Sequence, residues 1–123
     1  MMQLMKTVTM LHFYKAKVLR VIDADTFLVL IDKGFHNFFE TRIRLLECDA
    51  PEMRGPEKEM GKRVTEKTKE MLALYDNDIF IQTVKTDSFG RWLSYAWIDQ
   101  ECKGNINDQV ERWSEKEFKD NKS

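Results

Sequence analysis

The segment Arg42–Glu52 combines charged side chains in a pattern that suits phosphate and metal chemistry. Its first half alternates as a half-buried strand does, with arginines on one face and branched apolar residues on the other. The alternation then stops, and Pro51 indicates a turn between Asp49 and Glu52. A strand that presents Arg44 and then turns through two carboxylates suits a phosphate, an oxygen-preferring metal ion and a general base. A solvated strand face followed by an ordinary polar turn explains this segment equally well.

Length and composition indicate one globular domain. The chain has 123 residues, of which 42% are hydrophobic and 33% charged, and no apolar run is long enough to span a membrane. The net charge of −1 gives no overall positive field, so polyanion binding would need a local cluster of basic residues. The first twelve residues lack the features of a signal peptide. For that reason alone a cytoplasmic location is expected. Cys48 and Cys102 lack a metal-binding spacing and are expected to be reduced packing residues.

Three strands, a helix and two further strands are predicted in that order. The strands are expected at Phe13–Ile22, Thr26–Ile31, Asn37–Leu46, Ile79–Val84 and Arg91–Ile98. The helix begins near Pro56, which suits a first helical position, and continues with one apolar face to Tyr75. Asn105 or Asn107 is expected to cap a short final helix. This order predicts a mainly β (α+β) fold, a five-stranded OB-type barrel with a helix between strands 3 and 4 and a short C-terminal helix.

The predicted barrel domain spans residues 13–118. Residues 1–12 form an N-terminal extension, and residues 119–123 form a polar tail that is expected to fray. Within the last strand, Trp92, Tyr95 and Trp97 are expected to lie mostly in the core, although one of them could stack on a nucleic-acid base.

Five charged side chains fall at strand ends or in the turns beside them: Asp25, Arg44, Asp49, Glu52 and Arg91. Each has an ordinary explanation when taken alone. Asp25 could cap a turn, Arg44 and Glu52 could form a surface ion pair of little energetic value, and Arg91 could be a charge at the start of a strand. Their joint spacing is harder to explain in this way.

Three segments carry a family resemblance: Ile22-Asp-Ala-Asp-Thr26, Arg44-Leu-Leu-Glu-Cys-Asp-Ala-Pro-Glu52 and Asp87-Ser-Phe-Gly-Arg91. They closely resemble the three signature segments of the staphylococcal nuclease (thermonuclease-like) family. The order and spacing agree, and so does the predicted helix between the second and third segments. Each motif alone is unspecific, whereas the three together are specific, and the resemblance covers about Lys17 to Asp99.

The resemblance implies an OB-fold nuclease that uses calcium to hydrolyse phosphodiester bonds in DNA, with RNA left open as a second substrate. Asp25 and Asp49 match the family's calcium-ligating carboxylates. Ala50 matches the position whose backbone carbonyl binds the ion. Asp23 matches an aspartate near the metal, for which only a supporting role is expected. Oxygen ligands of this kind suit calcium and leave room for water and a phosphate oxygen.

The resemblance also implies which residues carry the reaction. Glu52 matches the glutamate taken as the general base for the attacking water, and it could either remove a proton from that water or only orient it. Arg44 and Arg91 match the arginines that hold the phosphate. In-line attack adds negative charge to the phosphoryl group, and two guanidiniums can stabilise that charge through bidentate hydrogen bonds.

The chain departs from the family's pattern at several positions. Ala50 replaces the archetype's threonine, which is tolerable because the ligand is a carbonyl, and Ala24 stands where glycine is usual. No tyrosine follows Tyr95, so the family's base-stacking pocket is expected to be absent or rebuilt. The shorter C-terminal part is expected to uncover one side of the barrel and to leave room for a protein partner or self-association.

Two other functions compete with the nuclease. One is a catalytically idle OB-fold module that binds nucleic acid or protein, although such a module would be expected to lose some of the five charged residues that are present here. The other is a small inhibitor or accessory protein whose shortened C-terminus docks a partner. It would bind stoichiometrically and show no metal-dependent turnover.

Overall fold

The computed structural model describes residues 12–120, in which five strands and two long helices follow the predicted order. The strands are β1 (Phe13–Asp23), β2 (Thr26–Asp32), β3 (Phe38–Leu45), β4 (Asp78–Thr86) and β5 (Trp92–Trp97). A short 3-10 turn, Gly55–Glu57, leads into α1 (Lys58–Ala73), and α2 (Ile106–Asp120) follows β5. Neither helix is long and apolar enough to cross a membrane in this part of the chain. The predicted fold class is confirmed.

The strands close into a barrel in the order β1-β2-β3-β5-β4, and β4 pairs again with β1. Every neighbouring pair is antiparallel except β3 and β5, which are parallel. Closure gives each of the five strands a hydrogen-bonded neighbour on both sides over at least part of its length. The parallel pair also brings the start of β5 beside β3.

The barrel interior is filled by alternate residues of the strands, because successive side chains point to opposite faces. The largest fully buried side chains contributed by the strands are Phe27, Val29, Ile43, Leu45, Ile79 and Ile81. Burying a side chain of this size contributes roughly 1.5–3 kcal/mol relative to leaving it exposed. The apolar alternation that predicted the strands is therefore the same pattern that builds the core.

The aromatic residues of β5, which were expected to lie mostly in the core, are not fully buried. Ser94 and Ala96 are the residues that point into the barrel, and both are fully buried. Tyr95 and Trp97 fall in the opposite phase and are only partly buried, on the outer face. Trp92 is partly buried against the core, so the prediction was correct in part for this residue alone. The alternation has a period of two, and the small residues occupy the inward phase.

Helix α1 covers the barrel with a face that is less apolar than the sequence suggested. Val64 and Leu72 are fully buried, as predicted, but so are Thr65 and Thr68 between them. Thr68 satisfies its hydroxyl by donating to the Val64 carbonyl over 2.8 Å. Tyr75, the predicted last contact, lies beyond the helix and is 44% exposed.

Helix α2 is longer than the short helix that was predicted. Its fifteen residues pack against α1 and β5, so the chain's own helix covers this side of the barrel. Lys119 and Asp120 of the predicted tail are helical. Residues 1–11 and 121–123, which carry most of the predicted extension and the rest of the tail, lie outside the described residues. A protein partner or self-association on this side stays a prediction.

The two candidate capping residues of α2 have different roles. Asn105 is the cap, because its Oδ1 accepts a hydrogen bond from the Asp108 N–H at 2.8 Å. Asn107 is only 3% exposed and points into the protein. Its Nδ2 donates to the carbonyls of Leu46 and Ser94 at 2.8 and 3.0 Å, and its Oδ1 accepts from the Ala96 N–H at 2.9 Å. Asn107 therefore attaches α2 to the end of β3 and to β5.

Replacing Asn107 with alanine should destabilise the protein more than replacing Asn105 with alanine. The first change removes three hydrogen bonds, two of them buried, and leaves the Ala96 N–H without its side-chain partner, at an expected cost of about 3 kcal/mol in the free energy of unfolding. The second removes one exposed cap and should cost about 1 kcal/mol. Urea unfolding of the two variants measures both costs. Equal losses would show that Asn107 does not anchor the helix.

Candidate active site

One polar cavity of about 200 Å³ forms where the β1–β2 turn, the segment after β3 and the start of β5 meet. It is lined by Asp23, Asp25, Thr26, Arg44, Asp49, Ala50, Glu52 and Arg91. These include the three residues predicted to be catalytic, the three predicted to bind metal, and the aspartate predicted to support them. The structure thus brings together every site residue that the sequence suggested, and it adds Thr26.

The barrel topology explains why residues so far apart in sequence share one cavity. Asp25 lies in the tight turn between β1 and β2, and its neighbour Thr26 pairs with Arg44 across β2 and β3. Trp92, the first residue of β5, pairs with Ile43 in the parallel ladder. Arg91 immediately precedes that ladder. It therefore enters the site from the loop before β5, beside Arg44.

Asp25 is the most buried charged residue of the cavity, at 6% exposure. Its Oδ2 lies 3.2 Å from Arg44 Nη1 and accepts a hydrogen bond from the Ala50 N–H at 3.0 Å. Its Oδ1 accepts a hydrogen bond from the Thr26 hydroxyl at 3.2 Å. Burial raises the pKa of the Asp25 carboxyl, and the Ala50 N–H and the Arg44 charge lower it only in part.

Arg44 holds the chain that follows β3 as well as the Asp25 carboxylate. The same Nη1 donates to the carbonyls of Leu45 and Cys48 at 2.8 and 2.6 Å. These bonds fix the turn from which Asp49 and Ala50 enter the cavity. The Nε and Nη2 groups of Arg44 have no partner within residues 12–120, so they remain free to bind an anion.

Glu52 is exposed at the cavity, but its backbone is held on two sides. Its N–H donates to Glu57 Oε1 at 3.1 Å. On the other side its carbonyl group packs against Gly61 of α1, where a Cβ would lie only 2.6 Å from the carbonyl carbon. A mid-helix glycine is normally unfavourable in a helix. Here it allows the loop that carries Glu52 to lie directly on the helix.

Arg91 is positioned by a carboxylate of its own loop. Its Nε and Nη2 lie 2.8 and 2.7 Å from Asp87 Oδ2. Asp87 Oδ1 accepts hydrogen bonds from the backbone N–H groups of Phe89 and Arg91 at 2.9 and 3.0 Å. Gly90 has a φ of 76°, which closes the loop. Burial raises the pKa of the Asp87 carboxyl, but the hydrogen bonds from Arg91 and Phe89 outweigh this effect and leave the pKa below its ordinary value.

Several residues that shape the site were not predicted. Asp87 was noted only as the first residue of the third motif and was given no role, although an aspartate at the start of a turn commonly accepts N–H groups from the residues that follow it. Glu111 of α2 adds a carboxylate beside the cavity, with its Oε1 3.5 Å from the Asp49 N–H. Burial raises the pKa of the Glu111 carboxyl, and the nearby carboxylates of Glu115, Asp49 and Asp25 raise it further. No local sequence pattern marks Glu111, because it reaches the site from a distant helix.

The donor chemistry of the cavity fits a hard cation. The Asp25 and Asp49 carboxylates and the Ala50 carbonyl offer only oxygen, which is the ligand that calcium prefers. Within residues 12–120, no three side chains of the His, Cys, Asp or Glu type form a metal-binding group by themselves. A cation here would therefore need the backbone carbonyl and water to complete its coordination.

The cysteines do not contribute to this chemistry. Cys48 and Cys102 are both free thiols, as expected. Burial raises the pKa of the Cys48 thiol to about 12, and the nearby carboxylates of Asp25 and Glu111 add to the effect. Because a thiolate is the reactive form of cysteine, Cys48 is an inert packing residue whose backbone carbonyl binds Arg44.

The fold and site define a closed five-stranded barrel with a cavity of arginines and carboxylates, and two known proteins are similar in sequence. The chain is 32% identical over 87 residues to Protein ParB of Escherichia coli. It is also 32% identical over 88 residues to Thermonuclease of Staphylococcus hyicus. The matches cover 71% and 69% of this chain but 44% and 49% of the relatives, so the chain spans about half the length of the curated relatives it matches. No protein-family model matches. The similarity to a thermonuclease agrees with the resemblance of the motifs.

Replacing Asp25 with asparagine should stabilise the protein at neutral pH in calcium-free buffer. A raised carboxyl pKa means that the ionised form of Asp25 opposes folding. The protonated form of Asp25 favours the folded state. This contribution to stability is complete below the ordinary pKa of 3.8 and is lost as the pH rises through the folded-state pKa. Urea unfolding should therefore show a gain at pH 7 that shrinks in acid. A variant less stable than the parent at pH 7 would contradict this explanation.

Replacing Asp87 with asparagine should destabilise the protein at neutral pH, because Arg91 loses its charged partner. The folded-state pKa of Asp87 is lowered, so its stabilising contribution is present above 3.8 and is lost as the pH falls through the folded-state pKa. The cost of the substitution should therefore disappear in acid. Asp32→Asn is the matched control, since Asp32 accepts a similar turn N–H from Gly34 but binds no arginine. Equal pH dependence in both variants would rule out the role of the Asp87–Arg91 pair.

Proposed function

We propose that this protein is a calcium-dependent nuclease that hydrolyses phosphodiester bonds in DNA, with RNA as a further candidate substrate. The observation that carries the proposal is the single cavity in which Arg44 and Arg91 face the carboxylates of Asp25, Asp49 and Glu52. The similarity to a thermonuclease supports the same reaction class.

The mixture of charges favours catalysis over simple binding of a nucleic-acid backbone. A site that only bound phosphate would gain from arginines and lose from carboxylates, because like charges repel. Carboxylates in such a cavity become useful when they hold a cation or activate water. For this reason the idle binding module is the weaker alternative.

Asp25, Asp49 and the Ala50 carbonyl would hold the calcium ion. When bound there, calcium would supply a positive charge that polarises a phosphate oxygen. Asp25 is fixed by the Ala50 N–H and by Arg44, so its carboxylate would be in position before any ion arrives. Asp49 is exposed, and its carboxylate can adjust to the ion.

Glu52 would accept a proton from the attacking water or orient that water. Its carboxylate lines the cavity, while Glu57 and Gly61 hold its backbone. The backbone that carries this carboxylate is thus held in place, and the exposed side chain remains accessible to water.

Arg44 and Arg91 would bind the phosphate and stabilise the charge that develops on it. Each guanidinium is already held by a carboxylate, Arg44 by Asp25 and Arg91 by Asp87. Groups that are oriented before the substrate binds need little reorganisation during the reaction. A lysine would lose the planar, bidentate geometry that both positions offer.

A digestion experiment tests the proposal directly. Supercoiled DNA, denatured DNA and RNA are incubated with the protein in calcium, in magnesium and in a chelator. We expect cleavage that depends on calcium, and a loss of at least about 100-fold in Glu52→Gln, because the general base is removed. Arg91→Ala should lose at least as much, since a stabilising donor is removed.

Glu66→Gln is the matched control, because Glu66 is exposed on α1 and pairs with Lys69 away from the cavity. It should cleave as the parent does. A folded parent that shifts DNA on a gel without cleaving it would replace the nuclease with the binding module. Full cleavage by folded Glu52→Gln would remove that residue from the reaction.

A further inference from the structure

The outer face of β1–β3 carries a row of residues directly beside the cavity. Arg20 of β1 lies opposite Leu28 of β2, and Leu28 lies opposite Arg42 of β3. Directly opposed residues share a face, and this row points outward because the adjacent residue Ile43 is fully buried inside the barrel. Arg44, two residues beyond Arg42 on the same face, lines the cavity.

The two arginines of this row have unused charge. Arg44, Arg63 and Arg91 each lie within 3.2 Å of a carboxylate oxygen. Arg20 and Arg42 are both exposed, and neither side chain makes a hydrogen bond or ion pair with any residue of the described chain. In a chain of net charge −1, they form a local positive patch next to the proposed phosphate site.

The spacing of Arg44, Arg42 and Arg20 suits consecutive contacts with the phosphates of one extended strand of nucleic acid. Residues two apart on a strand face are separated by about 7 Å, which is the step from Arg44 to Arg42. Arg20 lies two strands across the sheet from Arg42, at a distance of roughly 9–10 Å between the two strands. Leu28 between them offers an apolar surface to a sugar or base. The following row has Glu40 and Lys17 on either side of Leu30, and Lys17 is already paired with Asp78, so the unpaired positive charge is confined to the row of Arg20 and Arg42.

We propose that Arg42 and Arg20 bind the phosphates that follow the scissile phosphate, so that the substrate strand leaves the cavity across β3, β2 and β1. The ligand is an extended single strand of nucleic acid held by its backbone. This inference rests on the proposed nuclease function and adds to it the course of the substrate. It also explains how a protein without an overall positive charge would hold a polyanion.

The test measures binding of single-stranded DNA to the Glu52→Gln protein in calcium, by fluorescence anisotropy, at several salt concentrations. Each phosphate contact in a single strand contributes about 0.7 to the slope of log K against log salt concentration. Arg20→Gln combined with Arg42→Gln should therefore reduce the magnitude of this slope by about 1.4 for an eight-nucleotide strand, so that binding depends less on salt. The Kd should rise about tenfold for that strand and much less for a dinucleotide, which cannot reach both arginines.

Two controls keep the outcome interpretable. Arg20→Lys with Arg42→Lys retains both charges and should retain the slope, which separates the charge from any effect on folding. Lys67→Gln removes one exposed charge from α1, outside the row, and should leave the slope unchanged. An unchanged slope in the glutamine pair, in a protein that still binds DNA, would overturn the substrate course alone. A protein that neither binds nor cleaves DNA would overturn the proposed function as well.

Discussion

The contact between Asp25 and Arg44 is the interaction on which the rest of the site depends. One carboxylate oxygen meets both the Arg44 guanidinium and the Ala50 N–H, and the same guanidinium nitrogen binds the Leu45 and Cys48 carbonyls. The attraction within a buried ion pair offsets the free energy of desolvation only when further hydrogen bonds surround the pair. The pKa of Asp25 is raised because these contacts offset only part of the desolvation of its carboxylate, so the ionised form lowers the stability of the protein.

The two arginines of the cavity are positioned in different ways, and the difference follows from their places in the chain. Arg44 lies in a strand and is held by groups from the β1–β2 turn and from the segment after β3. Arg91 lies at the end of a loop and is held within five residues by Asp87. The Asp87–Arg91 contact lies within one loop, whereas the Arg44–Asp25 contact also requires β2 and β3 to pair. The position of Arg91 therefore depends on its own loop, whereas the position of Arg44 depends in part on a turn that is distant in the sequence.

The sequence predicted those features whose causes are local. Strand alternation and the proline at the helix start each depend on a few neighbouring residues, and the five strands and the helix after Pro56 lie close to where they were predicted. The contacts of Asn107 with Leu46 and Ser94 join distant segments, so no local pattern indicates them. The packing of Gly61 on the Glu52 loop also joins two separate segments, so no local pattern predicts it. The cavity residues were found because three separated motifs resemble one family, and the barrel then explains their proximity.

The charge balance of the cavity bears on how the proposed nuclease would meet its substrate. Asp25, Asp49 and Glu52 oppose Arg44 and Arg91 in the cavity, and Glu111 adds a carboxylate beside it. A phosphate entering this cavity alone would meet uncompensated negative charge. A cation entering first would meet oxygen donors and would then attract the phosphate. Under the proposed function the two binding events are therefore linked, and each raises the affinity for the other by the same factor.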